Sequence, residues 1–432
     1  MRDVIVIGGG GRGRTYARIA AGLKDSFRIV AVAEPIDNRR NEFRDRYGIP
    51  EELCHRSWEE LLSRPKFADL VVIATMDQDH LAPAMAAIEK GYDLLLEKPM
   101  GATPEECCAL QRAATEKGVF VLVCHVLRFT PFFRALKAII DSGRLGRIIH
   151  IQHAEGVGHL HQSHSFVRGN WGNSDRSTPM IVQKTCHDMD ILQWLVGKQV
   201  SRVHSFGSLT YFKEENAPQG APERCIDNCP HADTCYYNAV PLYYETWRTS
   251  SFLRAATKVV EPTDADIDRM LRTSDYGRCV FRSDNNVVDH QTVNLEFEDG
   301  ATVSFSMCAF NKGARDIRIM GTEGDLVGHM GQDFFTFYSF ATKEYEQISI
   351  ADAISDETID GGHGGGDTGI ILALQRWLDG DRSNPSICTL EQTARNHLIA
   401  YAAEESRLQG KMVDMNEYEA RLGGLTKEGE PK

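Results

Sequence analysis

The sequence predicts an α/β protein: a doubly wound parallel sheet at the N-terminus, then an α+β domain with a large open, mostly antiparallel sheet. Strongly apolar strand runs alternate with amphipathic helices through residue 125, which is typical of a parallel sheet covered on both faces. After Pro131 the strands alternate apolar and polar residues, so one face of their sheet is free to pack elsewhere. A length of 432 residues allows two or three domains with sizeable cores.

The elements of the first region follow from this alternation. We expect a domain over residues 1–125, with ligand bound at the carboxyl ends of its strands. The predicted strands are 3–8, 28–34, 69–75, 92–96 and 119–125, with helices that include 79–90 and 104–117.

The second region, residues 126–432, is expected to bind substrate and to mediate oligomerisation. Its segment 212–286 carries cysteines and is interpreted as an elaboration of this domain. The predicted helices are 131–142, 179–196, 366–379 and 389–409, and the predicted strands are 147–155, 199–211, 287–297, 301–309, 315–321 and 333–339.

A glycine-rich turn follows the first strand. Gly8, Gly10 and Gly13 have the G-x-G-x-x-G spacing that lets a backbone turn sharply and approach a pyrophosphate. The helix that starts there directs free N–H groups at the phosphates. Glu34 ends the second strand, 21 residues after Gly13, where a carboxylate can accept both ribose hydroxyls. Strand, turn, helix and acid together predict a Rossmann domain that binds a nicotinamide dinucleotide.

The choice of dinucleotide depends on Glu34. A carboxylate about 4 Å from a 2′-phosphate is repelled by roughly 1–4 kcal/mol, which favours NAD over NADP. Arg39 and Arg40 follow closely and offer either a phosphate site or a solvated helix start. The predicted cofactor-binding residues are Gly8, Gly10, Gly11, Arg12, Gly13, Glu34, Thr75, Asp77, His80, Glu97, Lys98 and His125.

Composition excludes several classes of function. The net charge of −13 argues against nucleic acid and anionic membrane surfaces as partners. The longest apolar stretches, such as 118–124, are too short to span a bilayer. The first strand starts almost at Met1, so we expect no signal peptide, and eleven scattered cysteines then indicate reduced thiols or metal ligands in a cytoplasmic protein.

Three further motifs carry a family resemblance. They are TMDQDH from Thr75 to His80, the Glu97-Lys98-Pro99 run at a strand end, and CHDMDILQWLVG at 186–197. With the glycine turn, they resemble the Gfo/Idh/MocA family of NAD(P)-dependent sugar and cyclitol oxidoreductases. The resemblance implies a substrate held between the two domains beside the nicotinamide, a Lys-Pro bond that is often cis, and a homodimer or homotetramer.

Lys98 is the first candidate catalytic residue. Oxidation of a secondary alcohol moves a hydride to the nicotinamide while a base takes the hydroxyl proton. A lysine serves as that base when it is desolvated or lies near another cation, and a strand end in the cleft supplies such a place. The alternative is an ordinary salt bridge between Lys98 and Glu97.

The predicted helix 179–196 supplies a second polar face. Gln183, Lys184, His187 and Asp190 recur at three- and four-residue spacing, which predicts either a catalytic stripe or a solvated one. The family resemblance implies a catalytic histidine at His187 and an aspartate four residues before it, where this chain has Gln183. Because Gln183 cannot titrate, we expect His187 and Lys98 to transfer protons, together with Lys184.

The segment 159–171 is a candidate for substrate recognition. It carries His159, His161, His164, Arg168 and Trp171, which offer the hydrogen-bonding groups and the apolar platform that polyols need. A histidine-rich surface loop would look similar. The predicted substrate-binding residues are Arg128, His161, His164, Arg168, Trp171 and Gln183, and a glycine-rich segment from His363 to Asp367 either closes over the site or forms a plain turn.

Three cysteines and a histidine cluster within residues 225–235. Cys225, Cys229, Cys235 and His231 are residue types that bind zinc, although their spacing departs from the usual paired arrangement. Cys279 is a second candidate for the fourth ligand. The cluster predicts either a structural zinc site or free thiols.

Together these features favour an NAD-dependent oxidoreductase of a sugar, cyclitol or glycoside. A first alternative is a redox-neutral NAD-dependent glycosidase, which oxidises a sugar, eliminates a group and returns the hydride. A second alternative is a non-catalytic NAD-bound sensor.

Overall fold

The first strands of the chain form one parallel sheet of six strands in the order β3-β2-β1-β4-β5-β6. The computed structural model describes residues 1–354 and 364–426. The strands of this sheet are β1 Arg2–Ile7, β2 Phe27–Ala33, β3 Cys54–His55, β4 Leu70–Ile73, β5 Asp93–Leu96 and β6 Val121–Val123. β4 and β6 are buried along their whole length, and β1 is buried along its last four residues, because helices cover both faces.

The later strands form a nine-stranded sheet in the order β14-β13-β12-β11-β7-β10-β9-β8-β15. Among the strand pairings that the described residues form in this second sheet, only β10–β7 is parallel. The strands are β7 Ile148–Gly156, β8 Val200–Ser208, β9 His290–Phe297, β10 Thr302–Cys308, β11 Ala314–Gly321, β12 Gly324–His329, β13 Phe334–Ser339, β14 Tyr345–Ser349 and β15 Val413–Asp414. These two sheets confirm the predicted fold class.

Helices connect and cover the two sheets. Their bounds are α1 Gly11–Gly22, α2 Asp37–Tyr47, α3 Trp58–Leu62, α4 Leu81–Glu89, α5 Pro104–Lys117, α6 Pro131–Asp141, α7 His159–His161, α8 Met180–Gln183, α9 Cys186–Val196, α10 Ala239–Pro241, α11 Ser251–Thr257, α12 Asp264–Thr273, α13 Ile350–Ala353, α14 Gly366–Leu378, α15 Leu390–Gln409 and α16 Met415–Arg421. Within the described parts of the chain, no helix combines the length and the apolar character needed to cross a membrane.

The predicted helix 179–196 is two helices in the structure. α8 ends at Gln183 and α9 begins at Cys186, and the backbone of Thr185 between them is not helical. Its hydroxyl donates to the carbonyl oxygen of Ile181 at 3.0 Å, which competes with the helical hydrogen bonds. The break places Lys184 at a corner between the two helices.

Helix α15 runs through the middle of the molecule. A capping box between Thr389 and Gln392 starts it, and Gly410 ends it in a left-handed conformation. It packs against α5 of the first region and against α8, α9 and β8 of the second. This helix therefore joins the two halves of the protein.

Candidate active site

The glycine turn is closely packed toward the sheet and open on its other side. A Cβ on Gly8, whose φ is +91°, would lie 2.5 Å from the Ala74 carbonyl oxygen, and one on Gly13 would lie 1.9 Å from the Gly8 carbonyl oxygen. A Cβ on Gly11 would meet nothing within 4 Å. Helix α1 begins at Gly11, and no side chain caps its N-terminus. Its N–H groups therefore fit the pyrophosphate of a dinucleotide.

Glu34 lies beside this turn and is fixed by it. One carboxylate oxygen accepts the Gly9 N–H at 2.7 Å, and the other accepts the Ile36 N–H at 2.9 Å. The side chain is buried. The carboxylate is thus held at the end of β2, where a ribose bound at the glycine turn would meet it.

The two arginines at the start of α2 have different surroundings. Arg40 donates to the Glu34 carbonyl oxygen at 2.8 Å and to the Asp37 carboxylate at 2.5 Å. Arg39 reaches the glycine turn, since a Cβ on Gly10 would lie 3.7 Å from its Nη1. Burial lowers the pKa of Arg39. Arg39 is therefore the cation of this pair that adjoins the predicted coenzyme groove.

Arg12 and Glu97, two predicted cofactor residues, bind each other. Nε of Arg12 donates to Oε1 of Glu97 at 2.7 Å, and its Nη atoms donate to the Asp367 carboxylate at 2.7 and 3.0 Å. The Tyr16 hydroxyl donates to the same Glu97 oxygen at 2.7 Å. Burial opposes ionisation of Glu97, but the positive charges of Arg12 and Lys98 outweigh it and lower the pKa of Glu97. This ion-pair network fixes the end of β5.

Lys98 reaches from the end of β5 to the second region. Its Nζ donates to the Gln183 carbonyl oxygen at 2.5 Å, while its backbone N–H donates to Oε2 of Glu97 at 2.9 Å. The Lys98–Pro99 peptide bond is cis. Gln183 ends α8, and His187 lies four residues later in α9. The structure therefore brings the predicted catalytic lysine to the chain segment that carries the predicted catalytic histidine.

Two predicted cofactor residues at the end of β4 support this loop. The His80 ring lies 2.6 Å from the Pro99 carbonyl oxygen through Nδ1 and 3.3 Å from the Thr75 carbonyl oxygen through Nε2. The Thr75 hydroxyl donates to the Asp79 carbonyl oxygen at 2.9 Å. His80 is buried, so its ring connects the β4 loop with the backbone after Lys98.

Asp77 connects the first region with the predicted substrate loop. Its carboxylate accepts the Trp171 indole N–H at 3.1 Å and the Thr178 hydroxyl at 3.0 Å. The side chain is 4% exposed. Trp171 is therefore held at the interface by its indole N–H.

His125 lies between two other imidazoles. Its ring centroid is 5.8 Å from that of His187 and 5.1 Å from that of His397. Burial lowers the pKa of His125, although the Asp190 carboxylate 3.9 Å away acts in the opposite direction. Arg128 donates to both Asp190 oxygens, at 2.7 and 2.9 Å, and is itself buried. Arg128, predicted to bind substrate, thus forms an ion pair with α9.

Lys184 belongs to an ion-pair network that sequence reasoning did not find. Its Nζ lies 3.1 Å from Oε1 of Glu155 in β7, whose other oxygen lies 2.9 Å from Arg315 in β11. Arg315 also bonds the Asp188 carboxylate, which lies 2.8 Å from Nε2 of His153. These charges lower the pKa of Asp188 far below its ordinary value in spite of burial. The network fixes α9 on the second sheet.

The predicted substrate loop packs partly against the segment 212–286. The His161 ring centroid lies 5.2 Å from that of Phe252 in this segment, and burial lowers the pKa of His161, with Lys184, His164 and Lys98 lowering it further. His164 faces the same segment. Its Nδ1 lies 2.6 Å from the Tyr243 hydroxyl. The rings of Tyr276, Phe252 and Trp247 surround it at centroid distances of 4.7, 4.9 and 5.1 Å.

Arg168 also faces away from the site. It donates to the carbonyl oxygens of Tyr237 and Arg278, both at 2.6 Å, and its Nη2 lies 3.5 Å from the Cys225 sulfur. Both of these carbonyl groups belong to the segment 212–286. Arg168 and His164 therefore anchor this segment to the loop, whereas Trp171 contacts Asp77 of the first region.

The zinc prediction is not supported. Across residues 1–354 and 364–426, no group of three or more histidine, cysteine or acidic side chains is arranged to hold a metal ion. His231 lies 2.9 Å from the Gln219 carbonyl oxygen through Nε2, and the Cys225 sulfur contacts Arg168. Cys225, Cys229, Cys235 and Cys279 line one small cavity with Arg168, and all four are free thiols.

Two family models match the chain. An oxidoreductase family model with an NAD-binding Rossmann fold matches residues 2–125, and the C-terminal α/β domain model of the same family matches residues 137–415. The chain belongs to the Gfo/Idh/MocA oxidoreductase family. The glycine turn and the family together establish an NAD-binding Rossmann domain.

Individual relatives agree with this assignment. The Bacillus subtilis protein YteT is 24% identical over 388 residues, which cover 84% of this chain and 88% of that protein. Inositol 2-dehydrogenase of Streptomyces avermitilis is 29% identical over 203 residues, 46% of this chain and 54% of that enzyme. A structure of levoglucosan dehydrogenase with NADH has a TM-score of 0.68 at 20% identity and covers 96% of this chain and 98% of its own.

Proposed function

We propose that this protein is an NAD-dependent oxidoreductase that transfers a hydride between a secondary alcohol of a sugar, cyclitol or glycoside and the nicotinamide. The relatives that act on inositol and levoglucosan support this substrate class. The observation that carries the proposal is the contact between Lys98 and Gln183, because it joins the end of β5 to the segment that bears His187.

The proposed chemistry assigns a task to each group. The nicotinamide, when bound, supplies the hydride acceptor. In the oxidation direction the carbinol C–H bond breaks with its electron pair, and Lys98 serves as the base that takes the hydroxyl proton. His187 is the second proton-transfer group. Lys184, at the corner before α9, orients the substrate hydroxyls. His161 and Trp171 complete the proposed substrate contacts.

The coenzyme preference follows from Glu34. A buried carboxylate at the ribose position repels a 2′-phosphate, so we propose NAD as the coenzyme. We further propose a homodimer or homotetramer, because the outer face of the nine-stranded sheet is solvent-exposed in one chain.

One experiment tests the proposal. Purified protein is incubated with NAD and a panel of sugars, cyclitols and glycosides, while NADH absorbance, aglycone release and solvent deuterium uptake are followed in parallel. We expect NADH to accumulate with at least one polyol, and turnover to fall in the His187→Ala variant. Release of aglycone without NADH would replace the proposal with the redox-neutral glycosidase. NAD binding without reaction across the panel would replace it with the sensor.

A further inference from the structure

The backbone that carries Lys98 is held from two sides. On the side of the first sheet, Glu97 accepts the Lys98 N–H and His80 lies against the Pro99 carbonyl oxygen. On the other side, the two residues after Pro99 contact helix α15. The Met100 N–H donates to Nε2 of His397 at 3.1 Å, and the Tyr401 hydroxyl donates to the Gly101 carbonyl oxygen at 2.9 Å.

The acceptor role of His397 requires a neutral ring of one tautomer. Nδ1 lies 2.9 Å from the Thr393 carbonyl oxygen and must donate to it, so the proton resides on Nδ1 and Nε2 has a free lone pair. Burial, reinforced by the neighbouring His125, lowers the pKa of His397 to about 3. The contact with Met100 is therefore present throughout the working pH range.

The residue before His397 contacts the other half of the site. Nδ2 of Asn396 donates to Oδ1 of Asp190 at 2.6 Å, and Asp190 lies in α9 one turn after His187. Neighbouring residues of one buried helix thus bind the loop of Lys98 and the helix of His187. Because Asn396 and His397 are both fully buried, this pair fixes the separation of the two proton-transfer groups.

We propose that His397 is a positioning residue that, with Asn396, sets Lys98 against His187. This inference rests on the proposed function, because Lys98 and His187 are its proton-transfer groups. Loss of the acceptor at Nε2 would leave the Met100 N–H without a partner and would release the loop. A displacement of about 1 Å at a reacting group costs about a hundredfold in rate.

The test compares two substitutions at the same position. His397→Leu fills the volume but removes the acceptor, and His397→Gln retains a side-chain oxygen for the Met100 N–H. With a substrate from the panel above, we expect His397→Leu to lower kcat by about tenfold to a hundredfold, with less than a threefold change in the Kd of NADH. We expect His397→Gln to keep most of the wild-type kcat. Equal activity of His397→Leu and wild type would overturn the inference.

A second readout needs no substrate. The rate at which a small amine-reactive reagent modifies Lys98 is measured by mass spectrometry as a function of pH. We expect the labelling profile of Lys98 to shift in His397→Leu and to remain unchanged in Gln111→Leu, which removes another buried polar group that lies on α5. Profiles that coincide in all three proteins would reduce His397 to a purely structural residue, whatever reaction the protein catalyses.

A milder variant covers the case in which His397→Leu fails to fold. Tyr401→Phe removes only the bond to the Gly101 carbonyl oxygen, four residues further along α15. We expect a reduction in kcat of about threefold to tenfold and a smaller shift in Lys98 labelling. Wild-type values for both measurements would contradict the proposed role of this face of the helix.

Discussion

The coenzyme side and the substrate side of the cleft differ in where their predicted residues lie relative to the cleft. On the coenzyme side, the glycine turn, Glu34 and the Glu97–Lys98 run lie together around one edge of the parallel sheet. On the substrate side, His164 and Arg168 turn away from the cleft and bind the segment 212–286.

The difference has a physical cause. The coenzyme residues follow strands of a parallel sheet, and the carboxyl ends of such strands meet at one edge whatever the rest of the chain does. The loop residues have no such constraint, since each can contact whatever segment packs on it. A tightly packed aromatic cluster around His164 decides the direction of that side chain. The comparison therefore predicts catalytic effects on one side and stability effects on the other.

The largest effect is expected at Lys98. Lys98→Met keeps the stem of the side chain but removes the amine that takes the substrate proton, so we expect kcat to fall by about a hundredfold to ten-thousandfold. NADH binding should change little, as measured by fluorescence titration. Lys117→Met, which removes an exposed lysine on α5, serves as the control and should keep wild-type turnover. Near-normal turnover of Lys98→Met would remove this lysine from the mechanism.

The glycine turn provides the next largest effect. A Cβ at Gly13 would lie 1.9 Å from the Gly8 carbonyl oxygen, so Gly13→Ala must push α1 away from the turn. We expect a loss of at least a hundredfold in NADH affinity and a lower melting temperature. Gly22→Ala at the other end of α1 meets nothing within 4 Å and should leave affinity unchanged. Wild-type affinity of Gly13→Ala would disprove the predicted pyrophosphate contact.

The same comparison explains how much of the molecule could be predicted from its sequence. Helix α5 has the predicted bounds of 104–117, because Thr103 caps it, Pro104 starts it and Gly118 ends it. The short strands Cys54–His55 and Val413–Asp414 were missed, since two residues carry no periodicity. The caps of α5 could be predicted because they depend only on residues next to the ends of the helix.

The candidate site was harder to predict where long-range partners form it. Lys98 and His187 follow from motifs, whereas His397 and Arg315 act through contacts with residues more than a hundred positions away. Neither lies in a recognisable motif, and each sits in an element whose pattern only predicts a helix or a strand. Asp367 was noted as part of a glycine-rich segment, but its bonds to Arg12 depend on how α14 packs on α1. Residue His363 of that segment lies outside the described residues.

On the substrate side we expect an effect on stability that depends on pH. Burial, with the charge of Arg168, lowers the pKa of His164 from 6.5 to about 3. The unfolded chain therefore binds a proton that the folded chain does not, and stability present above pH 6.5 is lost as the pH falls toward 3. His164→Gln, which does not titrate, should lessen that loss by a few kcal/mol.

The measurement for this variant is urea unfolding at neutral and acidic pH. The midpoint of wild type should fall more between pH 7 and about pH 4 than the midpoint of His164→Gln. His204→Gln, a change on strand β8 away from the aromatic cluster, should behave like wild type. Equal pH dependence in wild type and His164→Gln would show that His164 is not buried as described, and a large loss of NADH affinity would place it on the coenzyme side after all.

The smallest effect is expected at Glu34, where only the choice between two coenzymes changes. Glu34→Gln removes the negative charge near the ribose and keeps one oxygen, which can accept the N–H of either Gly9 or Ile36 but not both. Because repulsion of a 2′-phosphate by that charge amounts to roughly 1–4 kcal/mol, the ratio of the Kd of NADPH to the Kd of NADH should fall by about tenfold or more. Isothermal titration with both coenzymes measures the ratio, and Glu42→Gln in α2 should leave it unchanged, because Glu42 pairs with Arg14. An unchanged ratio in Glu34→Gln would mean that Arg39, which lies at the glycine turn, determines the coenzyme, and the next substitution would then be Arg39→Ala.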